Sequence, residues 1–374
     1  MKTHIEINAD HLKHNLSLFH GISGKHIMFV VKANAYGHGL GEIVRLSKDL
    51  PFIGYYAVDS LPEALEVRKE AGTKRILVIG WADDEELSEL IEQKFEIVVP
   101  SLDYMKRVRQ FSHKVRQTAL VHLKMDTGTS RLGMELQEIK GLLNQSNETS
   151  IEIKGLYSHF ANIEDTTDHS CAEHQLELFN ELLAQVRTRK ILRHFSCSAS
   201  ALLFPQTYFD MVRVGISAYG YWPSKQTYIS YIEKNKEKID LKPVLSWVSK
   251  VAQVRSIEKG RYIGYGLTYQ TFSRSRMIVI PVGYYDGYDR RLSNISNILI
   301  RDSRAPVRGR ICMNMMMAEV THIKNVKEGD RVLLIGIEKG EKLDAEYLAN
   351  LSGSIHYEIL SRINPCIPRK VVSQ

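Results

Sequence analysis

The sequence predicts a parallel α/β barrel followed by a β-rich domain, and three observations carry that expectation. Eight short apolar runs recur along the first part of the chain: HIMFVV, FIGYYAV, RILVIG, FEIVV, ALVHLKMD, IEIKGLYSHF, HFSCS and MVRVGISAYG. Amphipathic stretches such as ALEVRKEAG and QLELFNELLAQVRTRK separate them, the alternation expected of βα units. No GxGxxG follows the first run, which argues against an open dinucleotide-binding sheet. After YGYWPS, a polar segment, KQTYISYIEKNKEKID, leads into runs such as LSWVSKVAQVRSI, MIVIPVGYY, ILIRD and DRVLLIGI, broken by the turn residues EKG and KEGD. The division is placed at residues 1–235 for the barrel and 236–374 for the β domain.

Length agrees with this division, because 374 residues exceed what one hydrophobic core usually supports. A hydrophobic content of 44% and a charged content of 25% are those of an ordinary globular protein. No run approaches the length of a membrane span, and MKTHIEINADHLKHN has neither the apolar core nor the cleavage site of a signal peptide, so the chain reads as cytoplasmic. The net charge of +7 is spread among acidic residues and not gathered in a block, which speaks against nucleic acid as partner and leaves a weak bias toward anionic ligands. Cys171, Cys197, Cys312 and Cys366 lie far apart without metal-type spacing, so neither a metal site nor a disulfide framework is expected.

In a barrel of the (β/α)8 TIM type, catalytic groups come from the C-terminal ends of the strands. Lys32 follows the first run, Lys124 and Asp126 end VHLKMD, His159 ends GLYSHF, Ser198 follows HFSC, and Arg213 lies in MVRVGI. Singly, each is a polar residue at a strand end; their convergence points to a site. Lys32 is the most informative, since Met28, Phe29, Val30 and Val31 read as a buried strand. An amine beside them loses solvation, which lowers its pKa and makes it a nucleophile.

The string around it, VVKANAYGHG, resembles the pyridoxal 5'-phosphate (PLP) attachment motif of alanine racemases, and the resemblance extends over essentially the whole chain. It implies that Lys32 carries the cofactor and that Tyr36 touches its phosphate. KMDTGTSRLG resembles the family segment with an often carbamylated lysine and an arginine near the cofactor's phenolic oxygen, which implies those roles for Lys124 and Arg131. A carbamylated lysine is an anion able to orient Arg131; the plain alternative is a salt bridge from Lys124 to a carboxylate. The resemblance also implies Arg213 at the pyridine nitrogen, with the Ser198 hydroxyl and the backbone near Gly215 and Ile216 at the phosphate. A guanidinium does not give up its proton, so the ring stays a weak electron sink and side reactions such as transamination are discouraged.

Racemisation needs an acid/base group on each face of Cα. The resemblance implies Lys32 on one face and, from YIGYGLTY, Tyr265 on the other, tuned downward through His159 and Arg213. PVGYYDGYDRRL and RGRICMNMMM resemble two loops reaching the site, nominating Tyr284 as a wall or phosphate-side contact and Met313 as a backbone donor to the substrate carboxylate. These groups and Tyr265 come from the partner subunit in the family, so a homodimer with shared sites is implied.

Three departures bear on substrate. Asn314 stands where the family usually has aspartate, Cys197 precedes Ser198, and HYEILSRINPCIPR offers Asn364 and Pro365 where a family tyrosine crowds the substrate side chain. Loss of a phenol opens space at the substrate's β carbon, and Asn364 is able to hydrogen-bond a hydroxymethyl group. The serine/alanine racemases of vancomycin-resistance systems are similar in carrying an asparagine in this region. The expectation is therefore a PLP-dependent racemase of serine and alanine that supplies D-amino acids for cell-wall precursors. Those relatives place the racemase unit behind a membrane domain, so the chain is also compatible with the soluble part of an anchored protein. The alternatives are an alanine racemase with little serine activity, a related PLP-barrel decarboxylase and a non-catalytic PLP-binding protein; at Asn364 a plain turn residue before proline is an equal reading.

Overall fold

A computed structural model describes residues 2–144, 149–186, 191–236 and 238–373. The chain divides into two compact units: Leu12–Ala33 with Ile43–Lys242, and Met1–His11 with Asn34–Glu42 and Pro243–Gln374. The expected boundary at 235/236 lies just before the step from Lys242 to Pro243. The expectation, however, assigned residues 1–11 and 34–42 to the barrel. The reason is strand pairing. The strand β1 (Thr3–Asn8) buries every second side chain, Thr3, Ile5 and Ile7, and pairs antiparallel with Leu245–Lys250. Its register, Thr3 opposite Ser249 and Ile7 opposite Leu245, is a long-range choice that local pattern does not reveal.

The larger unit is the barrel. Its strands are β2 (His26–Val30), β3 (Ile53–Val58), β4 (Arg75–Val78), β5 (Glu96–Val99), β6 (Ala119–Lys124), β7 (Ile151–Tyr157), β8 (Leu192–His194) and β9 (Met211–Val214). All pairings are parallel, in the order β8, β7, β6, β5, β4, β3, β2, β9. Where the two ends of that order meet, Asp210 N–H donates to Arg193 O at 3.1 Å and Arg213 N–H to Ser196 O at 3.3 Å, nearly closing the barrel. Seven of these strands take up the expected apolar runs, and most of their side chains are buried as parallel strands require; the eighth run, HFSCS, meets β8 only at His194 and otherwise follows it. The helix Ser170–Gln185 takes up most of QLELFNELLAQVRTRK; residues 187–190 of that stretch lie outside the described residues.

The other unit holds two sheets. After β10 (Leu245–Lys250) come β11 (Gln253–Ile257), β12 (Ser275–Ile280), β13 (Asn297–Ile300), β14 (Ser303–Pro306), β15 (Met316–Glu319), β16 (Arg331–Glu338), β17 (Glu341–Leu343) and β18 (Arg369–Val372). One sheet runs β14, β13, β16, β10, β1, β18 with β17 attached to β16, and the other runs β11, β12, β15. The helices Ala345–Ser352 and His356–Ser361 were not foreseen in this β-like remainder. Asp344 caps the first by accepting the Tyr347 N–H at 3.0 Å, the helix-start signal that identifies it. No helix among the described residues is long and apolar enough to cross a membrane.

Candidate active site

The sequence-nominated residues divide between the two units. On the barrel, Lys32 stands two residues past the last residue of β2, Val30, and is half-buried. The chain then enters a left-handed helical turn: Ala33, Asn34, Ala35 and Tyr36 have φ of 54°, 54°, 52° and 53°. Such a turn costs roughly 1–2 kcal/mol for each residue bearing a Cβ. Small side chains and an asparagine lessen the crowding, and the Asn34 carboxamide holds the exit by accepting the Leu40 N–H at 2.8 Å. The sequence gives no sign of this handedness.

Arg213, on β9, is buried among oxygen and nitrogen acceptors. Its Nη1 donates to His194 O at 2.8 Å and to His194 Nδ1 at 2.9 Å. Its Nη2 donates to Ser158 O at 2.8 Å, Phe195 O at 2.9 Å and His159 Nδ1 at 3.3 Å. No acceptor among the described residues takes its Nε–H, and no carboxylate pairs with it. Burial, helped by Arg213, Lys124, Arg131 and Lys32, pushes His159 down to about 3, so this imidazole is neutral at pH 7.

Lys124 ends β6 and is almost fully buried, its Nζ 5.8 Å from the centre of the Tyr157 ring. Among the described residues no carboxylate pairs with it. Burial first, then the charges of Arg131 and Arg213, lowers its amine to about 8. The following loop, which carries Arg131 to an exposed position, is organised by Asp126: its Oδ1 accepts the N–H groups of Gly128 and Thr129 at 2.9 Å and of Ser130 at 3.2 Å. Burial raises the Asp126 carboxyl, and these donors together outweigh it and hold it below the usual range. Arg131 and His159, with Thr129, Phe160, Ile163 and Cys197 among others, line a cavity of about 260 Å³.

Ser198 opens the helix Ser198–Leu203, and its Oγ accepts the Gly215 N–H at 3.1 Å. Next comes the 3₁₀ turn Ile216–Tyr219, whose first internal bond is Ala218 N–H to Gly215 O. The N–H groups of Ile216 and Ser217 precede that bond, so the turn supplies them no acceptor. The Ser217 hydroxyl is fully buried with no protein partner among the described residues. Ser198 thus meets Gly215, which Ile216 follows in the chain; Ser217 was not singled out, because one serine among small residues carries no pattern.

On the other unit, Tyr36 lies with its ring centre 6.2 Å from that of Tyr357. Tyr265 is 72% exposed, in a short 3₁₀ turn. The two expected loops meet: Tyr284 N–H donates to Cys312 O at 3.1 Å and Tyr285 N–H to Met313 O at 3.0 Å. A Cβ at Gly283 would fall 2.1 Å from Cys312 O, so only glycine admits this approach. Tyr284 and Met313 are exposed, and the Met315, Met316 and Met317 run divides: Met316 faces the core while Met315 is exposed. Asn364 is a turn residue first. Its Oδ1 accepts the Cys366 N–H at 2.9 Å and its Nδ2 donates to Tyr285 O at 3.2 Å, which leaves one Nδ2–H.

Among the described residues no cluster of histidine, cysteine, aspartate or glutamate is arranged to hold a metal. The barrel groups are instead a fit for an anionic, aromatic cofactor: an amine at a strand end, donors left over at the Gly215 turn, and a buried guanidinium with one N–H to spare.

Comparison with known proteins agrees. Residues 7–223 match the family model for the N-terminal domain of alanine racemase, and residues 244–371 that for its C-terminal domain. An alanine racemase of Leptospira interrogans is 36% identical over 375 residues, covering 98% of this chain and 95% of the relative. An alanine racemase structure from Clostridium difficile superposes with a TM-score of 0.91 at 30% identity, covering 100% of this chain and 96% of the other. One from Bartonella henselae, with covalently bound pyridoxal phosphate, gives 0.87 at 26% identity and covers 100% of both chains.

Proposed function

Because the chain belongs to the alanine racemase family, we propose that it is a PLP-dependent racemase interconverting L- and D-alanine, with L- and D-serine as second substrates. The single observation that supports this reading best is Arg213, a buried cation with no carboxylate partner and one N–H left over. Such a group suits a neutral ring nitrogen better than any protein partner present.

When bound, the cofactor draws electron density away from the substrate's Cα. Lys32 would hold it, with Arg213 at the ring nitrogen, Arg131 beside the phenolic oxygen, and Tyr36, Ser198, Gly215 and Ile216 around the phosphate. Lys32 Nζ takes or returns the Cα proton on one face. Tyr265 Oη does the same on the other, held by a partner subunit in a homodimer. The exposed Tyr262, Tyr265, Leu267, Phe272 and Tyr285 support that arrangement, since apolar side chains grouped on loops mark contact surfaces. Tyr284 walls the site, and the backbone at Met313 binds the substrate carboxylate.

His159 is neutral and bonded to Arg213, so it orients its Nε2–H while adding no charge. Lys124 is suited to carbamylation: with its amine near pH 8, a share is neutral at physiological pH and able to add carbon dioxide with release of a proton. The carbamate would orient Arg131 by a charge-assisted hydrogen bond.

Acceptance of serine rests on Asn364 and Pro365. Proline leaves the β carbon uncrowded, and Asn364 retains one Nδ2–H for a hydroxyl. This would place the enzyme with the racemases of vancomycin-resistance systems, its D-amino acid product entering cell-wall precursors. The test compares kcat/KM for L-serine and L-alanine in the PLP-loaded protein and in Asn364→Tyr. Serine turnover that falls selectively in the variant supports the assignment; alanine turnover alone restricts the enzyme to alanine.

A further inference from the structure

A line of hydrogen bonds crosses the barrel interior and ends on Arg213. Glu96 Oε2, at the first residue of β5, lies 2.6 Å from His122 Nε2 on β6. His122 Nδ1 lies 2.9 Å from His194 Nε2 on β8, and His194 Nδ1 accepts from Arg213 Nη1 at 2.9 Å. All four side chains are nearly or fully buried. Space for the line is built in: a Cβ at Gly155 on β7 would fall 2.0 Å from His122 Nδ1. At the outer end Arg75 Nε donates to Glu96 Oε1 at 2.6 Å, and the Tyr157 ring stacks on His194 at 4.8 Å.

Donor chemistry fixes the direction of every bond. Arginine only donates, so His194 Nδ1 is bare and its proton sits on Nε2. His122 Nδ1 must accept that proton, so its own hydrogen sits on Nε2 and points at Glu96. Both rings are neutral, and burial opposes charging either one. An arginine does not release its proton, so the line carries no proton to or from the site. It is a fixed chain of aligned donors with an anion at the far end. Each bond polarises the next: a histidine that donates to a carboxylate becomes the stronger acceptor at its other nitrogen.

We propose that Glu96 is a positioning residue for the reaction: through His122 and His194 its carboxylate draws on the Arg213 guanidinium and limits how strongly Arg213 donates its remaining N–H to the cofactor ring. The proposal rests on the reading of Arg213 given above. An arginine that donates too strongly would make the ring a better electron sink and delay the return of the Cα proton. The side reaction this favours is transamination, in which alanine is oxidised to pyruvate as the cofactor's aldehyde is reduced to its amine form.

The test uses the PLP-loaded protein and Glu96→Gln, which keeps the shape of the side chain and removes its charge. Histidine ¹⁵N NMR without substrate is expected to show His122 and His194 as neutral rings protonated at Nε2 in the native protein. In Glu96→Gln the His194 Nδ1 resonance and the absorption band of the bound cofactor should both shift. Pyruvate formed per racemisation should rise about tenfold while KM for alanine stays within about twofold. Should Glu96→Gln not fold, His122→Gln interrupts the line one residue on and is read by the same absorption band and pyruvate ratio. A His194 ring protonated at Nδ1 overturns the proposal, as does a variant that loses stability while band and pyruvate ratio stay unchanged. A native protein that racemises nothing would strike the functional reading instead, which is distinguishable because the NMR needs no turnover.

Discussion

Arg213 Nη2 lies 3.3 Å from His159 Nδ1, which leaves His159 a neutral ring with its hydrogen on Nε2. His159 and His38 are both held down at about 3, chiefly by burial, and His194 lies well below its ordinary value. A histidine with a depressed folded pKa binds fewer protons in the native state than in the unfolded one, so its stabilisation is full above about 6.5 and is lost as pH falls toward 3. The urea midpoint should therefore be lower at pH 5 than at pH 7. A midpoint unchanged over that interval would mean that these histidines titrate normally.

Lys124 gives a second prediction. Incubation with ¹³C-bicarbonate should produce one carbamate resonance, absent from Lys124→Arg, and the variant should lose about tenfold in kcat through a less well oriented Arg131. With its amine lowered to about 8 by burial, carbamate should form more readily as pH rises from 6 to 8. Lack of the resonance at saturating bicarbonate rules out the modification.

The left-handed turn predicts an unusual order of substitutions at Ala33, which is exposed with φ of 54°. Ala33→Gly should be at least as stable as the native protein, and Ala33→Val should lose about 2 kcal/mol, because a β-branched side chain fits poorly at positive φ. Thermal unfolding of the PLP-loaded variants reads this directly; equal stability of the two variants would contradict it.

Shared sites can be tested by mixing. If Tyr265 serves a partner's Lys32, inactive Lys32→Ala and Tyr265→Phe chains refolded together should regain about a quarter of native activity, since half the dimers are mixed and each has one intact site. Were both residues to act within one chain, mixing would restore nothing.

These predictions draw unequally on the sequence. Seven of the eight barrel strands were legible because buried parallel strands read as apolar runs, and Lys32, Lys124, His159, Ser198 and Arg213 could be placed at or near strand ends; β8, Leu192–His194, was read a few residues too late because its residues are only partly buried and not apolar. The pairing of Thr3–Asn8 with Leu245–Lys250 was not legible, since register between strands so far apart in sequence is decided by packing. Nor was the handedness after Lys32, because Ala-Asn-Ala is compatible with an ordinary loop. Glu96 and His122 escaped notice for a similar reason: a carboxylate and an imidazole on different strands show no spacing, and only the pairing of β5 with β6 brings them to 2.6 Å. Asn364 was recognised, yet its use in a turn needed Tyr285 and Cys366 in place.

Racemisation is read most directly by following L-alanine incubated with the PLP-loaded protein, with D-alanine and carbon dioxide assayed in the same samples. Approach to equal amounts of the two enantiomers without carbon dioxide is expected, abolished in Lys32→Ala. Carbon dioxide released without D-alanine would identify a decarboxylase and contradict it.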